Sequence, residues 1–361
     1  VSDAPELERM FLPGPVAVAP EVLAAMLQPM VSHRTPQMSA RLAAMQPMLQ
    51  ALFRTTQPVL LVTASATGLM EAAVRSLRPA PVLCVVGGYF SERFAKIAEA
   101  CGRTVIRLRV PFDRPVTAQD LDEALQAHPY VGAVTMVHSE TGSGVLLPLA
   151  ELVATIRARS DALILVDAVT SLAGSPVETD ALALDVVFTG SQKAMGLPPG
   201  LAFGVVSEKY LAQARHLPGR GFYLDLVSLH ESAQRSLFPQ TPALPIVFAL
   251  EHQLRRIGAE GVEARWARHA RMRGLVDGWS ARTGVAILAP VGARSHTVSA
   301  LRVADGQAEA VAHAMAARGY VLTIGLPPYD GDFIRLGHMG DVQPGAVEGV
   351  LEVLGEVIGT P

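Results

Sequence analysis

The chain has 361 residues, 50% of them hydrophobic and only 5% aromatic, with a net charge of −3 at pH 7. That length suits one large domain with a smaller appendage, and the core must be built mainly from Ala, Val and Leu. Near-neutral charge, without a basic run or an acidic tail, argues against nucleic acid and polybasic membrane binding.

The N-terminal VSDAPELERM has no apolar signal-peptide core. The Pro/Gly-rich FLPGPVAVAP that follows reads as part of an extended arm over residues 1–20. Short apolar runs then alternate with helix-period segments. Runs at 58–63, 81–86, 104–110, 132–138, 162–167, 185–190 and 201–207 read as strands. Several are apolar on both faces, as strands are when helices cover each side. ATGLMEAAVRSL, SERFAKIAEACG, TAQDLDEALQAH and PLAELVATIRARS are helices between them. The expectation is a large α/β domain, residues 21–257, around a mainly parallel seven-stranded sheet.

Residues 208–245 read as irregular, and a long helical stretch after them reads as broken near Gly258–Gly261. HTVSALRV, GQAEAVAHAMAARG, YVLTIG, FIRLGHMG and a last helix then form a small α+β domain, 258–361. Scattered arginines along the helices read as solvated faces. Cys84 and Cys101 lack metal or CxxC spacing and read as buried free thiols. No apolar stretch nears the roughly 18 residues of a membrane span. A cytoplasmic enzyme without a metal is expected.

Open α/β sheets bind ligands beyond the carboxyl ends of their strands. The first strand leads into Ser65, Ala66 and Thr67 and then a helix, which reads either as an ordinary helix cap or as an anion site. It is no Walker loop, which would end in Gly-Lys-Ser/Thr. The fifth strand ends in Asp167, a carboxylate that either caps the next turn or holds a cationic group. The sixth leads to Ser191, Gln192 and Lys193, in TGSQKAMGLPPG. Of three lysines, Lys96 and Lys209 lie on polar helix faces, whereas Lys193 is flanked by glycines and prolines. An anion cradle, a carboxylate and an amine at three strand ends suit pyridoxal phosphate, which needs a partner for its phosphate, its ring nitrogen and its aldehyde.

Along nearly its whole length the sequence resembles the class V, fold type I pyridoxal-phosphate aminotransferases of the alanine–glyoxylate/serine–glyoxylate (serine–pyruvate) branch. The resemblance runs through LPGPVAVAP, TASATGLMEAAV, VHSETGSGVLLPL, LILVDAVTSLAG, TGSQKAMGLPPGLAF and IRLGHMGD. It implies transfer of an amino group from a small amino acid, alanine or serine, to glyoxylate or pyruvate. Lys193 matches the lysine that binds the cofactor and shuttles the proton, and Asp167 the partner of the ring nitrogen. Ser65, Ala66 and Thr67 match the phosphate loop, with Gln192 beside them. Phe90 matches an aromatic stacked on the ring, and Thr141 a hydroxyl near cofactor and substrate. Arg335 matches the arginine that clamps the substrate α-carboxylate. Thr241 matches a residue reaching the phosphate of a partner subunit, which implies a homodimer.

Relatives often have glycines at Ala64 and Ala66, and some have a tyrosine at Phe238. His33 and Arg34 read as site-entrance residues that also suit a phosphoserine aminotransferase. His138 reads as orienting Glu140, and His338 as structural. A cysteine desulfurase would need a nucleophilic cysteine late in the chain, and none follows Cys101. A degenerate, cofactor-binding accessory protein is the non-enzyme alternative.

Overall fold

The seven apolar runs form one sheet. The computed structural model describes residues 9–359, so the first eight residues of the expected arm lie outside the described residues. Its strands are β1 (Arg9–Met10), β2 (Leu60–Val62), β3 (Val82–Val86), β4 (Val105–Arg109), β5 (Ala133–Val137), β6 (Leu163–Asp167), β7 (Val186–Gly190), β8 (Ala202–Val206), β9 (Val298–Arg302), β10 (Tyr320–Val321), β11 (Thr323–Ile324) and β12 (Phe333–Gly337). The large sheet has the order β2-β8-β7-β6-β5-β3-β4. Only β8 runs antiparallel to its neighbours, β2 and β7.

Alternation sorts the side chains of this sheet into two cores. Leu83, Val85, Val134, Met136, Ile164 and Val166 join Met45 and Leu49 of helix Pro36–Phe53 on one face. On the other, Val82, Cys84, Leu163, Leu165 and Phe188 join Leu69 of helix Ala66–Arg75 and Phe94 of helix Tyr89–Ala100. Strand order reverses between β3 and β5, which opens a crevice beyond their carboxyl ends.

A three-stranded antiparallel sheet, β11-β12-β9, packs with helices Ala308–Ala316 and Pro344–Ile358. The arm joins it indirectly, because β1 pairs in parallel with β10. YVLTIG, read as one strand, is divided at Leu322: β10 takes the arm as its partner, while β11 pairs with β12. The segment 208–245 is less irregular than expected. It holds helices Glu208–Ala214 and Leu226–Gln234, whose first turns are capped by the side chains of Ser207 and Asp225. Helix Leu244–Glu260 runs unbroken through Gly258, and the chain turns only at Gly261, where φ is 87°. Nor is every arginine solvated: Arg265 is only 2% exposed. No described helix is long and apolar enough to cross a membrane.

Candidate active site

Lys193 follows β7 in a turn closed on itself. Ser191 donates through Oγ to the Pro198 carbonyl (2.6 Å) and accepts from Leu201 N (3.2 Å), and Gly196 N–H donates to the Lys193 carbonyl (2.9 Å). The lysine side chain is buried and donates to the carbonyl of Pro13 in the arm. Gly14 crosses directly over it. A Cβ on Gly14 would stand 2.5 Å from Lys193 Cδ and 2.8 Å from Nζ, and its φ of +97° disfavours any other residue. Burial, with the Arg335 guanidinium adding to it, pushes the Lys193 amine down to about 8 against the opposing pull of Asp167.

Asp167 ends β6, buried, with Oδ1 accepting from Val169 N (2.8 Å). One oxygen therefore caps the following turn, while Oδ2 has no hydrogen-bond partner among the described residues. Burial pushes this carboxyl up to about 7, with Glu140 adding to the rise and the Val169 N–H and Lys193 opposing it. Arg335, on β12, is also buried. Its Nε donates to the Ile324 carbonyl (2.9 Å), and no carboxylate among the described residues forms an ion pair with it. Burial pushes the guanidinium down to about 10, with Glu140 pulling the other way.

Thr141 Oγ1 lies 2.6 Å from Thr170 Oγ1, in the turn after Asp167. The neighbouring Glu140 accepts from Phe90 N, Ser91 N and Ser91 Oγ, each at 3.1 Å. It thereby ties the β5 loop to the helix that starts at β3. Phe90 is half-buried, edge-on to Tyr89, with the Arg93 guanidinium 4.7 Å from its ring centre. Helix Ala66–Arg75 begins after Ser65 without a side-chain cap. Ser65 is exposed, Ala66 buried and Thr67 half-buried. Gln192 is half-buried, and its carbonyl accepts from Val16 N (3.1 Å).

The structure therefore brings Asp167 and Arg335 within electrostatic reach of Lys193. Thr241 stays on the surface. Its side chain makes no hydrogen bond among the described residues, although Ala243 N donates to Thr63 Oγ1 (2.8 Å) two residues further on. His138 Nδ1 bonds Ser171 Oγ (2.9 Å) rather than Glu140, and His338 Nε2 bonds Ser299 Oγ (3.0 Å). Phe238 is buried in the core beneath the sheet. Sequence reasoning missed the Pro13–Gly14 cover, for which the only signal is a glycine between two prolines. It also missed Thr170.

These residues fit pyridoxal phosphate: a poised amine, a carboxyl oxygen with no partner among the described residues and an uncapped helix N-terminus suited to a phosphate. The sequence matches the family described as Aminotransferase class-V over residues 22–326. The chain is a class V aminotransferase. Its cofactor is pyridoxal phosphate, and its substrates are amino and keto acids. Among aminotransferases similar to it is an uncharacterised one of Methanocaldococcus jannaschii, 34% identical over 92% of this chain and 87% of its own. The L-aspartate–glyoxylate aminotransferase of Paracoccus denitrificans is 31% identical over 92% of this chain and 86% of its own. The crystal structure of the alanine–glyoxylate aminotransferase from Nostoc sp. superposes with a TM-score of 0.92 at 27% identity, covering 99% of this chain and 97% of that one.

Proposed function

We propose that this aminotransferase takes the amino group from a small L-amino acid, alanine or serine, and gives it to glyoxylate or pyruvate. The observation that carries this reading is the buried Arg335 guanidinium, which forms no ion pair with a carboxylate among the described residues and is close enough to lower the Lys193 amine. It provides an α-carboxylate site beside a base. Glyoxylate is the acceptor that the Paracoccus and Nostoc relatives have in common in their names.

Pyridoxal phosphate, when bound, supplies an aldehyde that takes up the amino group and a ring that spreads the electron pair left behind by the Cα proton. The protein does the rest. Arg335 binds the substrate carboxylate through charge-assisted hydrogen bonds. Lys193 Nζ, substantially neutral near pH 8, would take the proton from Cα and deliver it to the carbon on the far side of the amino nitrogen, two bonds away. Asp167 would hold the ring nitrogen through Oδ2, while Val169 N–H keeps Oδ1 in place. The backbone N–H groups of Ala66 and Thr67, with Ser65 and Gln192, would hold the phosphate, and Phe90 and Thr141 would border the ring. Pro13 and Gly14 cover the amine and exclude water. The same reading places Thr241 at a partner's phosphate in a cytoplasmic homodimer. It divides the chain into arm (1–20), cofactor-binding domain (21–257) and small domain (258–361).

The test loads the protein with pyridoxal phosphate and offers L-alanine, L-serine, L-aspartate or phosphoserine, each with glyoxylate or pyruvate. Glycine formed from glyoxylate with alanine or serine is the expected product. Turnover confined to phosphoserine would move the assignment to that substrate, and no amino transfer from any donor would leave a cofactor-binding accessory protein.

A further inference from the structure

We propose that Arg265 and Asp341 form a positioning pair that ties the Lys193 turn to the turn following the Arg335 strand, fixing the amine against the guanidinium. This rests on the aminotransfer reading above and adds to it the device that sets the distance between its two working groups.

Arg265 sits in the first turn of helix Val262–Thr283, within a sequence that looks like any charged helix face. It is nevertheless 2% exposed. Its Nη2 donates both to the Ala194 carbonyl (2.8 Å), directly after Lys193, and to Asp341 Oδ1 (3.0 Å). Its Nη1 is held by Glu260 Oε2 (2.8 Å). Gln253 repeats the arrangement from helix Leu244–Glu260, with Nε2 donating to the Met195 carbonyl (3.0 Å) and to Asp341 Oδ1 (3.1 Å). Two successive carbonyls of the lysine turn are thus tied through two different donors to one carboxylate. Asp341 comes six residues after Arg335, beyond the end of β12. Arg256 closes the cluster, Nη1 to Asp341 Oδ2 (2.5 Å).

Close packing leaves this bridge little slack. A Cβ on Gly196 would stand 2.6 Å from Gln253 Nε2 and 3.4 Å from Asp341 Oδ1. Burial alone would push the Asp341 carboxyl up, but Arg265, Arg256 and the Gln253 amide more than offset it and hold it below its ordinary value. The carboxylate is therefore charged near neutral pH. A buried ion pair seldom stabilises more than apolar side chains of the same volume. What this one supplies is geometry: the carboxylate, guanidinium and amide permit one spacing between the two turns.

The experiment compares Asp341→Asn, Arg265→Lys and the double variant with the parent. The first readout is kcat and KM for L-alanine in steady-state turnover with glyoxylate by the cofactor-loaded protein. The second is the pH titration of Lys193 in the cofactor-free protein, from the 13Cε signals of labelled lysine; with three lysines in the chain, the signals are separable. Each single variant is expected to lose about tenfold to a hundredfold in kcat, the scale of a displacement near 1 Å. KM and cofactor affinity should stay close to the parent's. Lys193 should titrate at higher pH as the loosened turn admits water, moving away from Arg335 and Arg93 and from Asp167 together. The double variant should be no slower than the worse single one, because either change opens the same bridge.

An unchanged kcat and an unchanged Lys193 titration, with only a lower melting temperature, would overturn the proposal, as would losses that add. If Asp341→Asn does not fold, Gln253→Met cuts one of the two ties and should shift both readouts the same way by less. A parent that converts no donor refutes the aminotransfer reading, and the lysine titration still decides the positioning role.

Discussion

Replacing Lys193 by methionine should make the cofactor-free protein more stable. The side chain is 8% exposed, and methionine has nearly its length without its charge. An amine displaced from 10.5 to about 8 carries about 3 kcal/mol of unfavourable free energy when charged, at ~1.4 kcal/mol per pH unit. Losing the hydrogen bond to Pro13 returns about 1 kcal/mol, so the net gain near pH 7 is about 2 kcal/mol. For a chain of this length that amounts to roughly 3 °C in melting temperature. The pH dependence gives a sharper check. Between about pH 8 and 10.5 the folded parent binds fewer protons at this site than the unfolded chain, so its stability rises with pH across that window. The gap between parent and variant should be full below pH 8 and close as pH 10.5 is approached. Losing Lys193 also pushes the Asp167 carboxyl further up in the variant, which closes the gap in the same direction as pH rises. Thermal melts of both proteins, cofactor-free and at one concentration, from pH 7 to pH 10, measure it. A variant less stable than the parent at pH 7, or a gap that does not change with pH, would refute a charged amine held in a desolvated site.

Gly14→Ala sets a methyl group against the lysine at a backbone angle that an L-residue tolerates poorly, at a cost of about 1–2 kcal/mol. The arm should lift from Lys193, slowing turnover by about a hundredfold, and proteolysis of the arm should become faster; normal kinetics with a protected arm would contradict the packing. Arg335→Lys keeps a positive charge but gives up the planar fork. KM for the amino donor should rise about tenfold to a hundredfold while cofactor affinity is retained; steady-state kinetics with alanine beside a cofactor titration separate the two.

Much of the fold was legible because the strands announce themselves. Residues such as Leu163–Val166 are buried on both faces and leave no other place for a polar end than the carboxyl-terminal crevice, where Asp167 sits. Strand direction was less accessible. β8 reverses against β2 and β7, yet its five residues are as apolar as those of the parallel strands of the sheet, so periodicity could not distinguish it. The split of YVLTIG at Leu322 depends on partners more than 300 residues and about ten residues away, respectively. Helices Glu208–Ala214 and Leu226–Gln234 escaped notice because they are short, although Ser207 and Asp225 were visible as caps. Within the site, Lys193 stood out by its isolation from other charges. Arg265 did not, since nothing local separates a buried arginine on a charged helix from an exposed one.

The arm that covers Lys193 is paired with the far end of the chain. Arg9 N donates to the Gly319 carbonyl, Phe11 N to the Val321 carbonyl, and Gly337 N to the Phe11 carbonyl. A ribosome makes the N-terminal partners first and the others more than 300 residues later, a delay of roughly 15–60 s at 5–20 residues per second. The large sheet can assemble during that interval, with its reactive amine uncovered. Residues 319–337 have to emerge before residues 9–11 can settle, so the cover over Lys193 closes only after they do.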